Sequence, residues 1–329
     1  MVNFALSFGL RVSLVVGAVV VIAAATTPAT VAGDMSGWQG DFKGPVGLQT
    51  WSLREEIKKD PAAAVAMMKA AGFSEVEGGL YANISSADLR KLFDQNGLVC
   101  TSMHAPYDIF VKHVDAAIAN ANPTVSPVPS RACFLTHIDE VIANAKTLGA
   151  TAAGIAWIPH KVKGHFTRAE CLRAAADFNR FGATLKQHGL TFFYHTHGYE
   201  FQPDGDGTLF DLLMAKTDPK LVKFQMDIFW VVRPGQDPVK LLRKYPGRFL
   251  SLHLKDMQKG ATLGELTGSA PKEWDVPLGT GQLDLPAILE AAVATGVKHY
   301  YIEDESVGAA KQIAGSLDYL KHVKFPGKK

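Results

Sequence analysis

A single (β/α)8 barrel is the fold class this sequence predicts, and two features predict it. Eight short apolar runs alternate with helix-length amphipathic segments after residue 45, which is the count such a barrel requires. The later runs also end in a histidine or a carboxylate, and in these barrels chemistry sits where the parallel strands end. A doubly wound open sheet is the competing layout. It usually places a glycine-rich phosphate turn after its first strand, and GLQTWSLREEI has none.

The elements follow in order. GLQTW (47–51) precedes DPAAAVAMMKAAG, and EVEGG (75–79) precedes SSADLRKLFDQNG. VCTSMH (99–104) leads through a long connection to THIDEVIANAKTLG, and AAGIAW (152–157) to TRAECLRAAADFNRFGATLKQHG. TFFYHT (191–196) is paired with DGTLFDLLMAK, and VKFQMD (222–227) with DPVKLLRKY. FLSLHL (249–254) reaches DLPAILEAAVATG through a second long connection, and YYIED (300–304) is followed by AAKQIAGSLDYLKHV. Several helices begin at Asp, Ser or Thr, as at Asp60-Pro61 and Asp237-Pro238, and several end at Gly, as at Gly149 and Gly296. Those residues cap the free N–H groups at one end and supply the left-handed turn at the other.

Both long connections, His104 to Thr136 and Met257 to Gly281, follow strands. Loops beyond ~15 residues in a compact domain tend to be lids or disordered. Substrate-covering elements are therefore expected, with a variable surface insertion equally open for the first.

Of 329 residues, 47% are hydrophobic, enough for a sizeable core; 34 basic and 32 acidic residues nearly cancel. Nothing resembles the basic footprint of a nucleic-acid binder. Residues 1–32 stand apart: Arg11, the apolar LVVGAVVVIAAA, then TTPATVAG. That is the pattern of a secretory signal peptide. An uncleaved anchor is the alternative, but the apolar centre of about a dozen residues is short of the ~20 that span a membrane. The expected organisation is a signal peptide (1–32), a lead-in (33–45) and the barrel (46–325), in a periplasmic or secreted protein with no stable membrane insertion after processing. Cys100, Cys133 and Cys171 lack CxxC spacing, so neither a disulfide framework nor a cysteine zinc site is expected.

The candidate site grows from four adjacent strands. Asp227, His253 and Glu303 end the sixth, seventh and eighth, and the fifth offers His195, His197 and Glu200 in YHTHGYEF. Singly, each has a plain structural explanation: a helix cap, a core histidine, an ion pair. Together they face one another, and carboxylates that do so repel unless a cation lies between them. Mixed oxygen and nitrogen ligands suit one divalent ion, with Mn²⁺ placed first and Mg²⁺, Co²⁺ or Zn²⁺ as alternatives.

YHTHGYEF, QMDIFWVVRPGQDPVKLLRKYPGRFLSLHLKD, VPLGTGQLD and YYIEDES together resemble the sugar phosphate isomerase/epimerase group of xylose isomerase-like TIM barrels. Inosose dehydratases and 3-keto-glycoside-processing enzymes are among its relatives, and the likeness covers about residues 46–325. It implies a divalent metal held by a strand-five ligand with Asp227, His253 and Glu303. The strand-five ligand is His195 or Glu200. Many members carry Glu where this chain has His195, and keeping the site's charge near theirs favours Glu200, with His195 beside it or on the substrate.

The implied chemistry is removal of the proton next to a sugar ketone. His197, two residues beyond His195 and on the same strand face, is the candidate base, because imidazole titrates near neutrality. Glu77 is a candidate second proton carrier, and Lys255 a candidate stabiliser of charge on a substrate oxygen. His104, Trp230 and Trp51 are candidate sugar contacts. The expected partner is a small carbohydrate and not nucleic acid, with self-association left open. Isomerisation, epimerisation and elimination all follow from one proton abstraction. A non-catalytic exported sugar-binding barrel is the competing function, and a metal-dependent nuclease a more distant one. The processed chain is expected to begin near Gly33. Intact-mass measurement of secreted material checks this, and a protein retaining Met1 in the membrane fraction would contradict it.

Overall fold

Eight parallel strands close into a barrel. They are β1 (Val46–Gln49), β2 (Glu75–Gly78), β3 (Val99–His104), β4 (Ala152–Ile155), β5 (Thr191–His195), β6 (Val222–Asp227), β7 (Phe249–Leu254) and β8 (His299–Ile302). The order around the barrel is β1-β8-β7-β6-β5-β4-β3-β2. This computed structural model describes residues 37–108 and 132–327. The expected signal peptide (1–32) and most of the first long connection lie outside the described residues.

Helices follow the strands as the fold requires. They are α1 (Arg54–Lys59), α2 (Pro61–Ala70), α3 (Ser86–Gln95), α4 (Ile138–Leu148), α5 (Arg168–Gln187), α6 (Leu209–Lys216), α7 (Ile228–Val232), α8 (Pro238–Lys244), α9 (Leu285–Ala294) and α10 (Ala309–His322). Asp60 and Asp237 accept backbone N–H groups of α2 and α8, and Thr167 forms a reciprocal capping box with Glu170. None of the described helices is long and apolar enough to cross a membrane.

Strand alternation decides what goes where. Outward residues such as Phe192, Tyr194, Phe224, Met226, Leu252 and Leu254 are buried, and they form the core between barrel and helices. The inward column is polar: Glu75 and Glu77, Ser102 and His104, Gln225 and Asp227, Ser251 and His253. Most barrels of this kind fill their interior with branched apolar side chains. Here the interior carries hydrogen-bonding groups from floor to mouth. The lead-in packs on the end of the last helix: Gln39 and Gly40 donate to Lys321 O, and the Phe42 ring meets Tyr300 edge-on at 4.8 Å.

The second long connection is a hairpin. Asp256–Met257 pairs antiparallel with Asp275–Val276. The Asp256 carboxylate accepts the N–H groups of Met257, Gly279, Gly281 and Leu283, which pins the returning strand. Its tip packs Gly268 against Trp157 and Tyr199, so it crosses the barrel mouth. All three cysteines are buried and free.

Phe193 is an aromatic exception in the polar column, and Gly154 on the neighbouring strand makes room for it. A Cβ at Gly154 would lie 2.4 Å from the Phe193 ring. Gly154→Ala should therefore destabilise the fold by about 1–3 kcal/mol, the usual cost of overpacking. Urea titration measures it, and parental stability would mean the ring moves aside freely.

Candidate active site

Glu77 lies at the centre of the inward column, fully buried. Its oxygens accept from Gln49 Nε2 (2.7 Å), Ser102 Oγ (2.5 Å), Gln225 Nε2 (2.9 Å) and His253 Nε2 (2.5 Å), with His104 Nε2 at 3.1 Å. Burial pushes its pKa up, and the imidazoles of His104 and His253 reverse this and hold it well below the usual glutamate range. The structure gives Glu77, a candidate second proton carrier by sequence, a further role: its hydrogen bonds hold other side chains in place.

Above it, His253 bridges two carboxylates, Glu77 through Nε2 and Glu303 through Nδ1 (3.0 Å). Burial disfavours its charged form, yet Glu303 and Glu77 overcome that and push its pKa up to about 10. Gln225, four strands from Glu77 and so across the barrel, organises the remaining imidazoles. Its Nε2 donates to Glu77 and Ser251, so its Oε1 faces His195 Nδ1 and His104 Nε2, each at 2.9 Å. An amide oxygen only accepts, so His195 carries its hydrogen on Nδ1 and keeps the Nε2 lone pair free. Burial lowers the pKa of His195 far below the usual histidine value, with help from His253 and His197. His195 is thus neutral, as a metal ligand must be.

His195, Asp227, His253 and Glu303 each offer a ligand atom within 4.8 Å of the others, and so do His104, His195 and His253. Asp227 divides its labour. Oδ1 caps α7 by accepting from Phe229 N and Trp230 N, while Oδ2 is buried with no hydrogen bond, 3.8 Å from His195 Nε2 and 3.5 Å from the Lys255 ammonium. A carboxylate oxygen without a hydrogen bond, facing a free imidazole lone pair, is what a divalent cation would satisfy, and the donor set fits one provided that His253 gives up the proton it shares with Glu303. Burial pushes the Asp227 pKa up, and nearby Glu303 adds to this. Glu303 is held low by Lys255 and His253 against its own burial.

Glu200 is elsewhere. It accepts from His197 N (2.9 Å) and from Tyr194 OH, which points out of the barrel toward the helices. The structure therefore corrects the preference for Glu200 as the strand-five ligand. Alternation aims residue 195 inward, and the turn after it folds Glu200 back onto outward-facing Tyr194. Burial raises Glu200 to about 7.

Lys255 also has a different place from the one expected. Its buried ammonium is 2.8 Å from Glu305, 3.1 Å from Glu303, 3.5 Å from Asp227 and 3.9 Å from Asp275. It compensates protein carboxylates, donating hydrogen bonds to Glu303 and Glu305. His197 stands over this group, its ring 4.8 Å from His195, 5.6 Å from Trp230 in a stack and 5.3 Å from Trp157. Burial lowers it to about 4, against the opposing pull of Glu305; it is neutral near pH 7, and this corrects the expectation that it titrates near neutrality. Trp230 is nearly buried at the mouth, and half-buried Trp51 donates to Glu305 from its indole nitrogen (3.1 Å). His104 keeps some exposure on the opposite wall.

Sequence reasoning missed Gln225, Trp157, Glu305 and Asp275. Gln225 and Glu305 each lie two residues from a named ligand on the same strand face, a signal that was available. Asp275 comes from a loop without periodicity.

A family model described as xylose isomerase-like TIM barrel matches residues 65–323. An inosose dehydratase of Lacticaseibacillus casei is 29% identical over 216 residues, covering 60% of this chain and 69% of its own. A sugar phosphate isomerase/epimerase structure from Parabacteroides distasonis superposes with a TM-score of 0.62 at 24% identity, over 91% of this chain and 97% of its own. A zinc-bound IolI structure gives 0.58 at 14% identity, over 84% and 94%.

Glu77→Gln tests the organising role of this carboxylate. Removing one partner of a buried ion pair costs about 3–5 kcal/mol. Because its pKa is depressed in the fold, that stabilisation is present above the ordinary glutamate range and is lost as pH falls through it. Urea titrations should show a large gap between parent and variant near neutrality that closes on acidification. A gap independent of pH would contradict it.

Proposed function

This chain belongs to the xylose isomerase-like TIM barrel family, and from that premise we propose that it is a metal-dependent enzyme that removes the proton next to the carbonyl of a keto sugar or 3-keto-glycoside. The carrying observation is the pairing of a neutral, precisely oriented His195 with Asp227 Oδ2, which accepts no hydrogen bond, beside His253 and Glu303. These four residues would hold the ion. A divalent cation there supplies Lewis-acid stabilisation of charge developing on substrate oxygens.

The chain's own groups do the rest. His197 is neutral and close to the quartet without belonging to it, so it accepts the α-proton. Trp230 and Trp157 enclose it and exclude water, and a sugar face stacks on such rings. His104, still partly open to the mouth, binds a substrate hydroxyl. Lys255 keeps Glu303 and Asp227 ionised by lying within 3.1 and 3.5 Å of them. The relatives support a carbohydrate substrate: inosose dehydratases among proteins of similar sequence, and an L-ribulose 3-epimerase among those of similar fold.

The competing functions have less support. A sugar-binding barrel has no use for a neutral histidine placed beside a ready ligand set. A nuclease is expected to carry a basic face for the phosphodiester backbone, whereas the 34 basic and 32 acidic residues of this chain nearly cancel. We propose further that the enzyme acts outside the cytoplasm, on the support of residues 1–32 alone.

His197→Ala should retain metal and substrate binding and lose on the order of 10²–10⁴ in rate, the usual worth of a positioned general base. Exchange of the substrate α-proton with D₂O, followed by NMR across free ketoses and 3-keto-glycosides, should disappear with it. Exchange at the parental rate would place the base elsewhere.

A further inference from the structure

The hairpin that crosses the mouth brings one carboxyl group into the site that no strand supplies. Asp275 is 6% exposed and lines the same mouth pocket as Trp230, Lys255 and Glu305. Its Oδ2 accepts the Glu305 backbone N–H (2.7 Å), while its Oδ1 is buried without a hydrogen-bond partner. The charged groups around it are Lys255, Glu305 and Asp304, with Lys272 on the preceding turn.

Four carboxylates lie within 4 Å of the Lys255 ammonium, and two of them have further cations: His253 at Glu303 and Arg54 near Glu305. The distances rank them: Glu305 at 2.8 Å, Glu303 at 3.1 Å, Asp227 at 3.5 Å and Asp275 at 3.9 Å. Asp275 is the least compensated, and Asp304 adds a further negative neighbour. A hydrogen on Asp275 Oδ1 has no acceptor inside the protein. A substrate oxygen at the mouth is the acceptor that completes it.

We propose that Asp275 is the general acid of an eliminating enzyme, protonating the oxygen that leaves from the carbon next to the site of proton abstraction. This rests on the reading of His197 as base. The α-C–H bond breaks, its proton goes to the His197 imidazole, and its electron pair forms an enolate with the carbonyl. The pair then returns, the carbonyl re-forms, and a carbon–carbon double bond develops as the neighbouring C–O bond breaks. The leaving oxygen takes the proton of Asp275, so an alcohol or water departs and an unsaturated ketone remains. His197 ends protonated and Asp275 ionised, and exchange with solvent resets both. An acid distinct from the base selects elimination over epimerisation, which needs no leaving-group donor. Independently, burial raises the Asp275 pKa well above the usual aspartate range, Lys255 opposing and Asp304 assisting.

The test uses the full-length metal-loaded protein, methyl and p-nitrophenyl 3-keto-glucosides, and D275N. Asparagine keeps shape and neutrality but cannot give up a proton. The expected result is a loss of about 10²–10⁴ in elimination of methanol, with α-proton exchange in D₂O retained. Release of p-nitrophenolate, a leaving group that needs no acid, should survive. Equal losses on both glycosides, or no loss on either, would overturn the proposal, as would a parent enzyme that exchanges the α-proton but never eliminates. A parent that shows no exchange would instead refute the underlying reading of the base. Infrared spectroscopy gives an activity-free arm: the parent should show a protonated-carboxyl band at neutral pH that D275N lacks, and absence of that band in the parent would also overturn it.

Discussion

A carboxylate without access to water sits on the barrel axis, and the site is arranged around the need to compensate it. Glu77 gathers donors from β1, β3, β6 and β7: Gln49, Ser102, Gln225 and His253. Each donor is then fixed by what Glu77 takes from it. His253 is oriented between Glu77 and Glu303. Gln225 must turn its amide nitrogen down, which turns its oxygen up, which fixes the hydrogen of His195 on Nδ1. A buried polar network is worth having only when every member is satisfied, and this one is satisfied throughout except at its upper edge. There, Asp227 Oδ2 is left over.

Charge follows the same logic at the mouth. Lys255 is the buried cation that Asp227, Glu303, Glu305 and Asp275 have in common. A lysine on β7's extension reaches them because the inward face of Ser251, His253 and Lys255 runs straight up the strand. The hairpin adds Asp275 from above, held by Asp256 at its base. Floor, quartet and mouth therefore form one stack of alternating charge, and changing any layer alters the ionisation of the next.

The barrel was legible because alternation and helix capping are local rules, and each of the eight expected strands falls within a few residues of its observed place. The ends of β6, β7 and β8 were legible for the same reason. The strand-five ligand was not, because two arguments conflicted. Strand geometry favoured His195, while charge balance favoured Glu200. Geometry prevailed: the turn after β5 carries Glu200 back to Tyr194 and the backbone of His197, and Lys255 enters the charge balance in a way no local rule reveals. The surroundings of Glu77 were not legible for a related reason: its place at a strand end suggested chemistry, but its partners come from four other strands. Asp275 could not be found at all, since a non-periodic loop delivers it. The leader and the tip of the first connection fall outside the described residues.

The account turns on His195, with Asp227, His253 and Glu303, being the group that holds the metal. Elemental analysis of the purified parent, His195→Gln and Glu200→Gln proteins after loading with Mn²⁺ and desalting measures this directly. Stoichiometric metal in the parent and in Glu200→Gln, with loss in His195→Gln, is the predicted result. Metal lost from Glu200→Gln but kept by His195→Gln would contradict it.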